Sequence, residues 1–178
     1  MLYKLIYSLS ICCAIFLFMT STACNKEIVG FDMVYKRDFV VKGGLSPSQG
    51  HYFVMKDFPA NYSGFAMAKS SDTSKVLRIV PKSMRFTSKF PDVLFDAIRT
   101  VEVRISKKNF DEGTEVFYYP YPLPQGRNYL DLSPGIADIK TLIGKNEPFN
   151  IIVRLDFINT PPQELDVTCE FGFIAVTK

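Results

Sequence analysis

The clearest signal along the chain is alternation in its second half. In 101–105, Val101, Val103 and Ile105 alternate with Glu102 and Arg104. In 151–157, Ile151, Val153, Leu155 and Phe157 share one parity, with Arg154 and Asp156 on the other. In 165–175, Leu165, Val167, Cys169, Phe171 and Phe173 alternate with Asp166, Thr168 and Glu170. A period of two marks half-buried antiparallel strands, because successive side chains leave opposite faces. Shorter β-branched and aromatic runs predict further strands at Asp38–Lys42, His51–Met55, Val76–Val80, Glu115–Tyr119 and Tyr129–Leu132. Pro81 lacks an N–H, so it stops the Val76–Val80 ladder or places it at an edge, with Ser83–Thr87 continuing past a bulge.

Helical spacing is rarer. Ile136, Ile139, Leu142 and Ile143 recur at the period of a helix, with Ser133 as N-cap, Pro134 as first helical residue and Gly144 as the stop. Pro91–Ile98 is a weaker helical candidate. The loop Gly44–Gly50 carries two turn glycines and Pro47 before the second strand. Seven or eight short strands separated by turns predict an all-β, antiparallel β-sandwich with one short helix, and a small β-barrel is the alternative.

The first residues follow another pattern. Lys4 is the only charge before Lys26, and an apolar run from Leu5 to Met19 leads to small and polar residues. That order is the order of an export signal, and the run is short for a membrane-spanning helix. The segment Ser21-Thr22-Ala23-Cys24 resembles the lipobox of bacterial lipoproteins, with Ser21 where Leu is usual in that family. The resemblance implies a signal peptide over 1–23 and a diacylglycerol on the thiol of Cys24. Asn25 stands where an Asp commonly retains such proteins in the inner membrane, so the resemblance implies the outer membrane. Cleavage by an ordinary signal peptidase, or a retained short anchor, are the other readings. Residues 24–36 show no clear period and read as lipidated N-terminus and tether, and 37–178 as one domain. The general pattern is similar to small β-sandwich lipoproteins of Gram-negative bacteria, a likeness that implies no activity.

Composition narrows the chemistry. Without residues 1–23 the chain keeps 155 residues and a net charge of +2, with no basic stripe for nucleic acid. Once Cys24 is lipidated, Cys169 is the only thiol, which excludes an internal disulfide. His51 and Cys169 are then the only soft ligands, too few for a zinc site, and no Asp-x-Asp-x-Asp-Gly calcium loop occurs. No cofactor motif is present, and the Gly43–Gly50 loop lacks the Lys of a phosphate cradle.

Catalytic candidates are sparse. His51 would need Ser46, Ser48 or a distant Ser as nucleophile, and no Gly-x-Ser-x-Gly elbow exists. Asp111-Glu112 and Asp92/Asp96 are carboxylate pairs with the look of solvated loop residues, and the chain has no Trp to grip a sugar. Lys107-Lys108 reads as a charged hairpin tip. The segment Phe117-Tyr118-Tyr119-Pro120-Tyr121-Pro122, with Tyr129, concentrates aromatics where prolines prevent a central strand. Strand alternation sends Tyr118 and Tyr119 to opposite sides. Tyr118, Tyr119, Tyr121 and Tyr129 are therefore either rings covering the end of the sandwich or a recognition surface. The expected function is a non-enzymatic binding or adaptor module at the cell envelope. Its partners would be the membrane, through Cys24, and envelope proteins or surface glycans. The alternatives are a barrel carrying an apolar ligand, suggested by 16 Phe, and a small envelope hydrolase.

Overall fold

In a computed structural model, which describes residues 30–107, 113–119 and 125–178, all the expected strands are present and most are longer than expected. They are β1 (Gly30–Val41), β2 (His51–Phe58), β3 (Val76–Ser88), β4 (Ile98–Ser106), β5 (Thr114–Tyr119), β6 (Tyr129–Pro134), β7 (Phe149–Phe157) and β8 (Leu165–Thr177). All pair antiparallel, in the order β1-β8-β3-β6-β5-β4-β7-β2. The halves β1-β8-β3-β6 and β2-β7-β4-β5 face each other, the strand order of a jelly roll. They join through two residue pairs, Phe117–Pro134 and Tyr118–Ser133. With β1 and β2 as its ends the sheet is nearly closed, so the sandwich is also barrel-like.

Alternation decides which side chains meet between the halves. Rings from both halves interdigitate: Phe117 of β5 stacks on Phe173 of β8 at 5.9 Å, and Phe39 of β1 meets Phe53 of β2 at 5.7 Å. Tyr35 of β1 touches Phe58, Phe149, Phe171 and Phe173, and its hydroxyl donates to the Ala60 carbonyl at 2.6 Å. That bond is needed because a buried hydroxyl without a partner costs roughly 1–3 kcal/mol. Burial raises the Tyr35 hydroxyl well above its ordinary range. Cys169 lies on the same inner side, 0% exposed, and burial pushes its thiol up as well.

Three local expectations differ from the structure. β1 begins at Gly30, so the strand takes in residues 30–36 that the sequence reading gave to the tether. Phe31, Met33 and Tyr35 are buried and Asp32, Val34 and Lys36 exposed, a period of two that was present but short. The expected helix over 134–143 shrinks to one turn, α2 (Lys140–Ile143). Ser133 and Pro134 end β6 instead, and Ile136 is fully exposed. Residues 138 and 139 serve β3: the Ile139 N–H donates to Ile79 O at 2.8 Å, and the Asp138 carboxylate accepts from Ile79 N. Where a helix over Pro91–Ile98 is expected, residues 91–97 form turns with Val93 and Phe95 buried, and the buried Ile98 opens β4. An unforeseen helix, α1 (Tyr62–Ala68), follows β2, and Tyr62 packs on Phe31 at 5.8 Å. Pro81 sits inside β3 at a register shift, where its missing N–H is tolerated because β6 pairs only with Met84–Thr87.

The chain ends of the strands sort the connections. The 42–50, 89–97 and 158–164 connections, with residues 125–128, lie at one end of the sandwich. The 59–75 and 135–148 connections, with the start of β1, lie at the other.

Candidate functional site

Register brings distant residues into one line on the outer face of the β2-β7-β4-β5 half. Tyr52 pairs with Arg154, Arg154 with Glu102, and Glu102 with Tyr118. At the usual strand spacing the two tyrosines stand roughly 14 Å apart. They are exposed, Tyr52 at 51% and Tyr118 at 40%, with a charged pair between them.

That pair belongs to a network. Glu102 accepts from Arg104 Nε and lies 3.7 Å from Arg154 Nη1, so one carboxylate serves two guanidiniums. It pushes the Arg104 guanidinium further up from its already high range. Arg154 Nη2 also donates to Asp156 at 3.2 Å, and Asp156 accepts from the Thr100 hydroxyl at 2.7 Å. The Arg154 guanidinium lies 6.0 Å from the Tyr52 ring centre, within reach of a cation–π contact. Its Nε is buried with no hydrogen-bond partner among the described residues. Gly50 covers it: a Cβ there would come within 2.7 Å of that Nε and 2.8 Å of Asp156 Oδ1. Gly50 is thus a glycine of close approach.

Of the tyrosines singled out from the sequence, Tyr118, Tyr119 and Tyr129 are described, and they are not gathered into one patch. Tyr118 points outward and Tyr119 inward, where it packs partly against the core. Tyr129 is half-buried on the other half of the sandwich, paired with Thr87, with Arg85 and Arg127 over its ring at 5.1 and 5.5 Å. Tyr121 lies outside the described residues, as do Cys24, Lys108 and the pair Asp111-Glu112. Lys107 is paired with Glu147. Tyr52, Arg154 and Glu102 were missed as a group. Their outward parity was readable in each strand, but β2 and β7 are a hundred residues apart, and only their register aligns them.

The catalytic candidates are engaged locally. His51 Nε2–H donates to the Ser46 carbonyl at 2.8 Å, and the ring packs on Phe157 at 5.5 Å. The hydroxyls of Ser46 and Ser48 bond each other at 2.8 Å. Asp96 accepts from Gly126 N at 2.8 Å, and with Asp92 it borders a surface depression of about 240 Å3 beside Pro161 and Pro162. A second depression, of about 300 Å3, lies over Gly172 on the β1-β8-β3-β6 face, among Val34, Ser83, Arg85, Asp131 and Glu170.

No family model and no curated protein matches the chain. Solved structures resemble it more remotely. A chain described as N-glycanase F (PNGase F) is 17% identical over 82% of this chain, with a TM-score of 0.44, and the present chain spans 42% of its length. A Nora virus structure is 10% identical, with a TM-score of 0.32, over 84% of this chain and 60% of that one. A turnip yellow mosaic virus structure is 11% identical, with a TM-score of 0.26, over 82% of this chain and 93% of that one.

Proposed function

We propose that the chain is a lipid-anchored, non-enzymatic recognition module of the cell envelope. A lipid on Cys24 holds it to the outer membrane, and the Tyr52–Tyr118 face meets its partner. The observation that carries the second half is the row itself: two exposed rings flank a guanidinium–carboxylate pair on a rigid sheet. Tyr and Arg dominate recognition surfaces because they present large, stiff contact areas that can also hydrogen-bond. Here the strands hold the rings in place, so little ordering entropy opposes contact. An envelope protein or a surface glycan both offer the apolar surface and hydrogen-bonding groups that such a row matches.

Carriage of an apolar ligand finds less support. The facing rings of the two halves touch one another, and the depressions described above lie on the outside. The lipid anchor is supported by the residues around Cys24, which resemble a lipobox.

The test is capture from native membranes by the wild-type protein and by the Tyr52→Ala/Tyr118→Ala variant. Mass spectrometry would identify proteins, and a glycan array would be probed in parallel. The variant should lose roughly 2 kcal/mol of partner affinity, about thirtyfold, with its unfolding midpoint nearly unchanged. Equal capture by variant and wild type would remove this face from consideration.

A further inference from the structure

We propose that the end of the sandwich carrying Gly30 rests on an anionic bilayer surface through exposed lysines and apolar side chains. The proposal rests on the lipid anchor at Cys24 and adds the orientation and the contact chemistry.

Length sets the orientation. Cys24 is six residues before Gly30, where β1 begins. Six residues reach at most about 20 Å even when fully extended. β1 itself, 12 residues, is roughly 40 Å long. A leash shorter than the strand cannot let the opposite end of the sandwich reach the surface while Gly30 stands away from it. The end that starts β1 is therefore the end nearest the lipid.

The chemistry of that end fits a lipid surface. It forms one continuous piece. The Lys178 N–H donates to Lys75 O at 3.2 Å, and Lys140 Nζ donates to Val76 O at 2.6 Å. Asn146 bridges to α1 by accepting from Ser63 N at 3.0 Å and donating to its hydroxyl at 2.6 Å. On this piece Lys69, Lys75 and Lys145 are exposed and make no ion pair with any described residue. Three carboxylates at this end have partners. Asp72 accepts from Ser74, Asp138 from Ile79 and Lys140, and Glu147 pairs with Lys107. Met67 is 77% exposed, Leu77 51% and Ile136 100%. Exposed ammonium groups with neighbouring exposed apolar side chains match the headgroup layer, where lysine meets anionic lipid and apolar groups enter the acyl boundary. On the outer faces of the sheets, by contrast, Lys82, Arg85, Lys89 and Arg104 are each taken up by a carboxylate.

The experiment uses the full chain expressed in a Gram-negative host and extracted from its membranes. Its Cys24 is read by mass spectrometry, and it is reconstituted into vesicles of phosphatidylethanolamine and phosphatidylglycerol. Nitroxide labels are placed by Met67→Cys or, at the opposite end, by Leu94→Cys, while the buried Cys169 stays unlabelled. Collision with oxygen, which concentrates in the bilayer, is compared with collision with an aqueous nickel chelate. The label at 67 should favour oxygen and the label at 94 nickel. Replacing phosphatidylglycerol by phosphatidylcholine, or introducing Lys69→Glu/Lys145→Glu, should lower the immersed population at 67 by about tenfold or more. If Cys24 is acylated and the label at 94 is the immersed one, or both labels are aqueous, the orientation is wrong and the anchor stands. If Cys24 is unmodified, the anchor reading fails and this proposal with it.

Discussion

On the β1-β8-β3-β6 face, charges meet one to one across strands: Lys82 with Asp32, Arg85 with Asp131, Lys89 with Asp38. Every partner in these pairs is at least two-fifths exposed. The one tyrosine there, Tyr129, lies under two arginines. On the β2-β7-β4-β5 face, Glu102 is only 20% exposed and answers to two guanidiniums, while Tyr52 and Tyr118 stand open at either side. Both faces are built from the same residue types. One-to-one pairing in water leaves a face self-contained and nearly neutral in energy, since exposed pairs contribute little. Sharing a half-buried carboxylate makes a polar centre whose members depend on one another, with an exposed aromatic ring on either side.

That difference predicts its own strongest test. Glu102→Ala leaves Arg104 without its carboxylate and Arg154 with Asp156 alone, both guanidiniums half-sheltered from water. It should cost about 2–3 kcal/mol, below the range for a fully buried pair because the arginines are about two-fifths exposed. Asp131→Ala, on the other face, should leave stability close to wild type. Urea unfolding of the two variants side by side reads the contrast directly, and equal losses would mean that the two faces do not differ in kind.

How much of this was legible beforehand follows from where the information sits. Strand positions are local: Val101–Ile105 and Leu165–Ala175 carry their period in five to eleven consecutive residues, and both appear as strands. The β1 segment Phe31–Tyr35 carried the same period but adjoined an irregular stretch, so it passed for tether. The helix over 134–143 failed for a tertiary reason. Its apolar spacing was real, but Asp138 and Ile139 bond to the open edge of β3 beyond the end of β6, which outweighs the local preference. Register is not local at all. The outward parity of Arg154 and Glu102 could be read strand by strand, whereas the alignment of Tyr52 with Tyr118 exists only after β2, β7, β4 and β5 have paired. Composition, by contrast, pointed to the aromatic cluster at 117–121, yet alternation and the fold scatter its described members over an outer face and the core.

A second test compares outside with inside along one strand. Cys169 and Glu170 are neighbours in β8, one fully buried and one exposed. Cys169→Ser puts a hydroxyl among apolar side chains and should cost about 1–2 kcal/mol. Glu170→Ser changes only the outer face and should leave the unfolding midpoint in place. A thiol reagent should modify Cys169 only on the unfolding timescale, because the thiol is inaccessible and burial keeps it protonated. Rapid modification in the folded protein would show that the inner side of β8 opens to solvent.

The smallest effect expected comes from acid. Arg85, hydrogen-bonded to Asp131, holds that carboxyl below its usual range, and Lys89 together with Thr168 does the same for Asp38. A carboxyl whose pKa falls on folding adds stability that is fully present above the unfolded value. That stability is lost as pH drops through the folded one. The pairs of the β1-β8-β3-β6 face should therefore contribute equally at pH 7 and pH 5, and fade only below about pH 4. Because these groups are exposed, the loss should be small and should shrink further in high salt, where surface charges are screened. Urea unfolding at neutral and acid pH, for wild type and Asp131→Asn, measures it. The variant should be slightly less stable than wild type and level between pH 5 and 7, with a shallower decline below about pH 4. If the two proteins lose stability along the same curve, Asp131 is not held down by Arg85, and the one-to-one pairing that distinguishes this face makes no contribution in solution.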